Sequence, residues 1–110
     1  MKSMNRVELI GYLGKDPDIY EYPDGNTKAI IRMATDRFYA SEEGKSVKET
    51  QWHTVIVWGK EQIDKFRNYI IKGSHVLVNG ELEYQTYQDK SGQTRHATQI
   101  RMNYLVDLDR

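Results

Sequence analysis

Both tryptophans of the chain lie within ten residues, Gln51-Trp52-His53-Thr54-Val55-Ile56-Val57-Trp58-Gly59-Lys60. Flat rings with a polar edge can hold flat ligands by stacking at a surface that is part wet. The stretch is rich in β-branched and aromatic residues and stops at a glycine, the pattern of a strand. Side chains alternate faces along a strand. Trp52, Thr54, Ile56 and Trp58 therefore share one face, and His53, Val55 and Val57 share the other. Two apolar faces are unusual in a small antiparallel sheet with one side in water. Either protein covers both faces, or one face is an aromatic platform. Taken alone, the tryptophans favour the first reading slightly, as core or as an oligomer interface.

Other chemistry is hard to assemble from this inventory. There is no cysteine, hence no disulfide framework, thiolate metal site or cysteine nucleophile. That fits a reducing cytoplasm. No Gly-rich phosphate loop, HExxH or serine elbow occurs. His53 lies opposite the tryptophans and reads as a hydrogen-bonded core or subunit-contact histidine. His75 and His96 lack ligand spacing. Asp16, Asp18 and Asp24 stand in turn sequences, where aspartate serves the backbone. No enzyme activity, cofactor or metal is expected. Sixteen basic and sixteen acidic residues cancel, so overall charge argues neither for nor against a nucleic-acid partner. Eight tyrosines and two tryptophans stand against two phenylalanines, a mild bias toward polar-edged rings. No apolar run reaches membrane-spanning length.

The elements that would position these residues can be read in chain order. Met4 to Leu13 is a strand broken by Gly11 and Gly14, with glycine marking a bulge or barrel corner. Asp16-Pro17-Asp18 and Tyr22-Pro23-Asp24-Gly25-Asn26 are turns. Thr27 to Thr35 is a second strand. Asp36 to Glu49 reads as a long exposed loop or hairpin tip around Gly44. Thr50 to Trp58 is the third strand. Over Lys60 to Ile71, Ile63, Phe66 and Ile70 recur at helical spacing, and Gly73 follows as a stop. Ser74 to Tyr87 is a fourth strand bent at Gly80. Val76, Val78, Leu82 and Tyr84 lie on one of its faces. Asp89-Lys90-Ser91-Gly92 is a hairpin turn, and Thr94 to Leu108 is the last strand. One domain spans residues 1–110, with residues 1–3 as an unordered lead. The expected class is all-β: a five-stranded Greek-key barrel of the OB type, with one helix between the third and fourth strands. SH3-like barrels share the strand count.

Four blocks carry a resemblance. Met4-Asn5-Arg6-Val7 with Gly11-Tyr12-Leu13-Gly14-Lys15-Asp16-Pro17 resembles the opening of bacterial single-stranded DNA-binding proteins. Trp52-His53 with Gly59-Lys60 resembles their third strand. Tyr69-Ile70-Ile71-Lys72-Gly73-Ser74 with Val78-Asn79-Gly80 resembles the helix exit and fourth strand. Asp89-Lys90-Ser91-Gly92-Gln93 resembles the last hairpin. The likeness runs from about Met4 to Leu108. It implies an OB-fold, usually assembled as a homotetramer with the first strand at the assembly edge.

The resemblance also implies a role: sequence-independent binding of single-stranded DNA in replication, recombination or repair, in the cytoplasm and associated with the nucleoid. The stacking positions it implies are Tyr39, Trp52, Trp58 and Tyr87, with Phe38 able to exchange with Tyr39. Tyr84 and Tyr69 read as core instead. Candidate phosphate contacts are Arg6, Lys28, Arg32, Arg37, Lys60, Lys72, Lys90 and Arg95, of which Lys60 and Lys72 fit the motif best. Positions usually basic in the family are Thr54, Glu83 and Gln85 here. Fewer phosphate contacts mean weaker binding and a shallower salt slope. The family's Gly/Pro/Gln-rich tail with its acidic tip has no counterpart after Leu108. Tail-mediated partner recruitment is therefore in doubt, and an accessory, phage or mobile-element version is one expectation. Two alternatives stand beside the coating function. One is a tail-less, dimeric OB adaptor resembling primosomal replication protein N. The other is an OB module used only for protein contacts.

Overall fold

The hydrophobic residues that alternate along the strands converge on one interior. The computed structural model describes residues 2–109. Its elements are β1 (Val7–Leu13), β2 (Asp18–Glu21), β3 (Thr27–Ala40), β4 (Ser46–Trp58), α1 (Lys60–Phe66), β5 (His75–Gln88) and β6 (Thr94–Asp107). Hydrogen-bonded neighbours run β1-β5-β6-β4-β3-β2, and a further β1–β3 pairing closes the sheet. All pairings are antiparallel except β4–β6, where Val55 lies beside Ile100 and Ile56 beside Arg101. Five strands thus form a closed Greek-key barrel, and β2 adds only to the edge of β3. This is the OB arrangement, with the helix between the third and fourth barrel strands.

The core follows the period-two pattern. Ala29, Ile31 and Met33 of β3, Val55 and Val57 of β4, and Val76 and Val78 of β5 are fully buried. Ile63, Phe66 and Ile70 cover one end of the barrel. Each buried aliphatic side chain of this size contributes roughly 1.5–3 kcal/mol by leaving water. Gly11 and Gly80 sit where strands pass backbone to backbone: an added Cβ would collide with the carbonyl of Ala34 or of Arg101. The β5–β6 register slips between Asn79 and Gly80, where Asn103 of β6 is the extra residue of a bulge.

Two hairpins continue past the barrel as arms. Ala34 to Ala40 stays paired with Ser46 to Trp52, so the expected loop over 36–49 is mostly strand and only 41–45 turns. Its polar composition reflects two solvated faces. Thr50 Oγ1 donates to Asp36 at 2.7 Å and Arg37 pairs with Glu49 at 3.1 Å across the ladder. The second arm pairs Leu82 to Gln88 with Thr94 to Ile100. Tyr84 lies on the core-side face of β5, as its parity says, but beyond the barrel's end; it is 74% exposed, not core. Tyr69 is also exposed, because the helix ends at Phe66 and only Ile70 of the following turn points inward. The helix is therefore shorter than the Lys60–Ile71 pattern suggests.

Candidate nucleic-acid interface

The β3–β4 register defines one outer sheet face. Opposite pairs on it are Lys28–Trp58, Ile30–Ile56, Arg32–Thr54 and Ala34–Trp52. Trp52 is 53% and Trp58 40% exposed, while Ile56 between them is buried. The two tryptophans therefore form a wet aromatic surface over an apolar floor, and the covered-core reading fails for them.

Trp52 has a built seat. A Cβ on Gly14 would collide with its indole ring, so the ring lies on the glycine where β1 ends. An open depression of about 560 Å³ adjoins it, lined by Gly14, Lys15, Asp18, Ile30, Arg32 and Trp52. Arg32 donates to Thr54 Oγ1 at 3.3 Å from the facing strand. A cation thus stands beside the neutral Thr54, supplied across the ladder. Lys28 Nζ lies 5.5 Å from the Trp58 ring centroid, within cation–π range. Neither Lys28 nor Arg32 has an ion-pair partner among the described residues; Asp18, which lines the depression with Arg32, pairs with Lys15.

A model of the single-strand binding protein family matches residues 4–108. This chain belongs to that family. Among solved structures, a Plasmodium falciparum SSB in complex with ssDNA is similar at 30% identity and a TM-score of 0.87. The match covers 99% of this chain and 98% of that one. A deletion variant of the single-stranded DNA binding protein from Thermus aquaticus is similar at 26% identity and a TM-score of 0.81. There the match covers 96% of this chain and 50% of that one, so this chain spans half its length.

Within the family fold, the structure sorts the expected site residues. Trp52, Trp58 and Arg32 lie together on the outer face. Phe38, 65% exposed, shares that face by register, further along the arm opposite Lys48. Tyr39 points to the reverse face, opposite Val47, with the Arg37 guanidinium 5.5 Å from its ring centroid. By parity Phe38 shares the face of the tryptophans and Tyr39 does not. Tyr87 rejoins the outer face through β6. Ile56 lies beside Arg101, and Arg101, Gln99, Ala97 and Arg95 share a side that ends opposite Tyr87.

The lysines fare less evenly. Lys60 is held by Asp64 at 2.9 Å, and that hydrogen bond raises its pKa. Asp64 also takes Arg67 at 3.2 Å, and the two hydrogen bonds lower its own pKa. Arg6 pairs with Glu8 on β1, and Arg95 pairs with Asp89 at 2.9 Å. The Lys72 backbone N–H donates to Asp16 at 2.8 Å, fixing its segment beside the β1 exit. Glu83 accepts from Gln99 Nε2 at 2.7 Å, so the β5–β6 side mixes acid with the cation Arg101. Arg101 and Lys15 are cations that sequence reasoning missed. Arg101 reaches the outer face only through a parallel pairing 45 residues away from Ile56, which no local pattern announces.

His53, on the core side of β4, meets Thr35 Oγ1 at 2.8 Å, and burial pushes its pKa down. It is a half-buried, hydrogen-bonded histidine on the core side of the strand. Asp18 and Asp24 serve the local chain and Asp16 a distant segment: Asp18 pairs with Lys15 at 2.9 Å, Asp24 accepts the Asn26 N–H at 3.0 Å, and Asp16 accepts the Lys72 N–H. Among the described residues no group of three His, Asp or Glu could hold a metal, and no helix is long and apolar enough to cross a membrane.

Proposed function

We propose that this protein binds single-stranded DNA without sequence preference, stacking bases on Trp52, Trp58 and Phe38 while Arg32 and Lys28 meet phosphates. The observation that carries this is the pair of half-exposed tryptophans on one sheet face, interleaved with cations that have no acidic partner. Every base has a π-face, so stacking at roughly 1–3 kcal/mol per base holds a strand without reading it. The likeness to an SSB solved with ssDNA supports the same reading. Tyr87, on the same side of the sheet, extends the track along the second arm. Tyr39, Lys60, Lys72 and Arg6 play smaller parts: Tyr39 faces away, Lys60 and Arg6 are held by acids, and Lys72 lies at the margin. The work is coating, with no chemical step, during replication, recombination or repair near the nucleoid.

The protein acts as a homo-oligomer, in this reading a tetramer. Ile10, Leu77 and Val106 form one cross-strand row on the far side of the barrel, flanked by the stacked pair Tyr12–His75 and by Tyr104. Ile10 and Tyr12 are exposed, and β3 pairs with β1 only at Tyr12 and Leu13. One edge of β1 is therefore open beside an apolar face. Competition gel shifts with oligo(dT), oligo(dA) and duplex DNA test the binding reading. Comparable retention of both single strands and little of the duplex is expected; preference for duplex would contradict it.

A further inference from the structure

The aromatic surface does not end at Trp58. β2, a strand the sequence did not announce, lies along β3 with Tyr20 opposite Lys28 and Ile19 turned toward the core. One outer row therefore reads Tyr20, Lys28, Trp58 across three strands. Lys28 Nζ stands 5.9 Å from the Tyr20 ring centroid and 5.5 Å from that of Trp58. Tyr22, at the hairpin after β2, stacks on Trp58 with centroids 6.2 Å apart and planes 27° from parallel. All three rings are partly exposed. The turn that holds Tyr22 is pinned by its N–H to Asn26 O at 2.8 Å and by Gly25 N–H to Tyr22 O at 2.9 Å.

We propose that Tyr20, Tyr22 and Lys28 form a further single-strand subsite, which carries the bound strand from Trp58 across β3 onto the β2 hairpin. The inference rests on the binding reading above and adds the direction in which the strand leaves the tryptophans. Tyr20 and Trp58 are two strand spacings apart, about 10 Å, and the Lys28 ammonium lies between them. A base on each ring would place connecting phosphate over that charge. The opposite exit, across β6 and β5, meets Glu81 and Glu83 beside Arg101 on the same face, whereas the row from Trp58 to Tyr20 carries a cation alone.

The test uses the full chain and oligo(dT), with Tyr20→Leu/Tyr22→Leu, Tyr20→Phe/Tyr22→Phe and Lys28→Gln variants. Loss of one stacked base weakens binding about tenfold, within the range known for such contacts. The leucine pair should show that loss and the phenylalanine pair should not. Lys28→Gln should make the slope of log affinity against log salt shallower by about 0.7. If the leucine pair fails to fold, ultraviolet cross-linking of the unmodified protein to 5-iodouracil-substituted oligo(dT) decides, with a cross-link at Tyr20 or Tyr22 expected. A purely structural role for these tyrosines would lower thermal stability but leave the salt slope and the cross-link pattern untouched. Unchanged affinity and salt slope, with cross-links confined to Trp52 and Phe38, would overturn the subsite while leaving the binding reading intact. Failure of the unmodified protein to bind oligo(dT) at low salt would remove both.

Discussion

At the residue scale, the proposed binding turns on where two indole rings point. Alternation along 52–58 was legible in the sequence; which face met solvent was not, because both faces are apolar. Substituting Trp52 by Ala should weaken oligo(dT) binding by about 1–3 kcal/mol, and Trp52→Phe by less, since a ring remains. Gly14 gives a second route to the same ring. In Gly14→Ala the new methyl collides with the indole, which can swing outward because its far side is solvent. Affinity should fall with little change in melting temperature; equal affinity would mean the seat is irrelevant to binding. His53 supplies a pH signature. Burial holds its pKa below the ordinary value, near 6.5, so the unfolded chain takes up a proton more readily than the folded one. Stability is full above about pH 6.5 and is lost as pH falls from there through the lower folded-state pKa. Thermal unfolding at pH 7.5 and 5.5 should show that loss, and His53→Gln should flatten it.

At the element scale, the three hairpin tips share one construction. In each, a glycine N–H donates to the carbonyl three residues back: Gly25 to Tyr22, Gly44 to Ser41 and Gly92 to Asp89. The turn sequences made these tips easy to place. At the last tip the Ser91 hydroxyl donates to Asp89 at 2.6 Å, Arg95 pairs with it, and it also accepts the Gln93 and Ser91 N–H groups. These bonds hold its pKa at about 2. Gly92 has φ of 82°, where a Cβ costs about 1–2 kcal/mol. Gly92→Ala should therefore lower the melting temperature by several degrees, and Gly92→Asn by less; equal melting would show that the tip is not formed. The arms themselves were not legible. Their strands are polar on both sides, so residues 36–49 looked like loop, and Tyr84 looked like core because parity gives a face and not a depth. β2 was missed for another reason: four residues between two strong turns carry too little pattern to show as a strand.

At the scale of the whole molecule, the arms set the shape. The radius of gyration is 16.3 Å, against about 13 Å for a compact chain of this size. Surface that a compact domain would bury is instead extended outward in the two arms. The apolar row Ile10, Leu77 and Val106 lies on the other side, so binding and self-association can proceed on separate faces. If the proposed oligomer forms through this row, Ile10→Arg should shift sedimentation toward monomer while the fold persists; an unchanged sedimentation coefficient would count against assembly through this row. Zero net charge leaves binding to local cations, so affinity should fall with salt, but less steeply than for a uniformly basic groove. The most direct test of the account is titration of the protein with oligo(dT), followed by tryptophan fluorescence at low and high salt, with Trp52→Phe and Trp58→Phe to separate the two signals. Saturable quenching of both tryptophans, weakened by salt, is expected. Fluorescence that stays constant at low salt in all three proteins would contradict the claim that this face holds the strand.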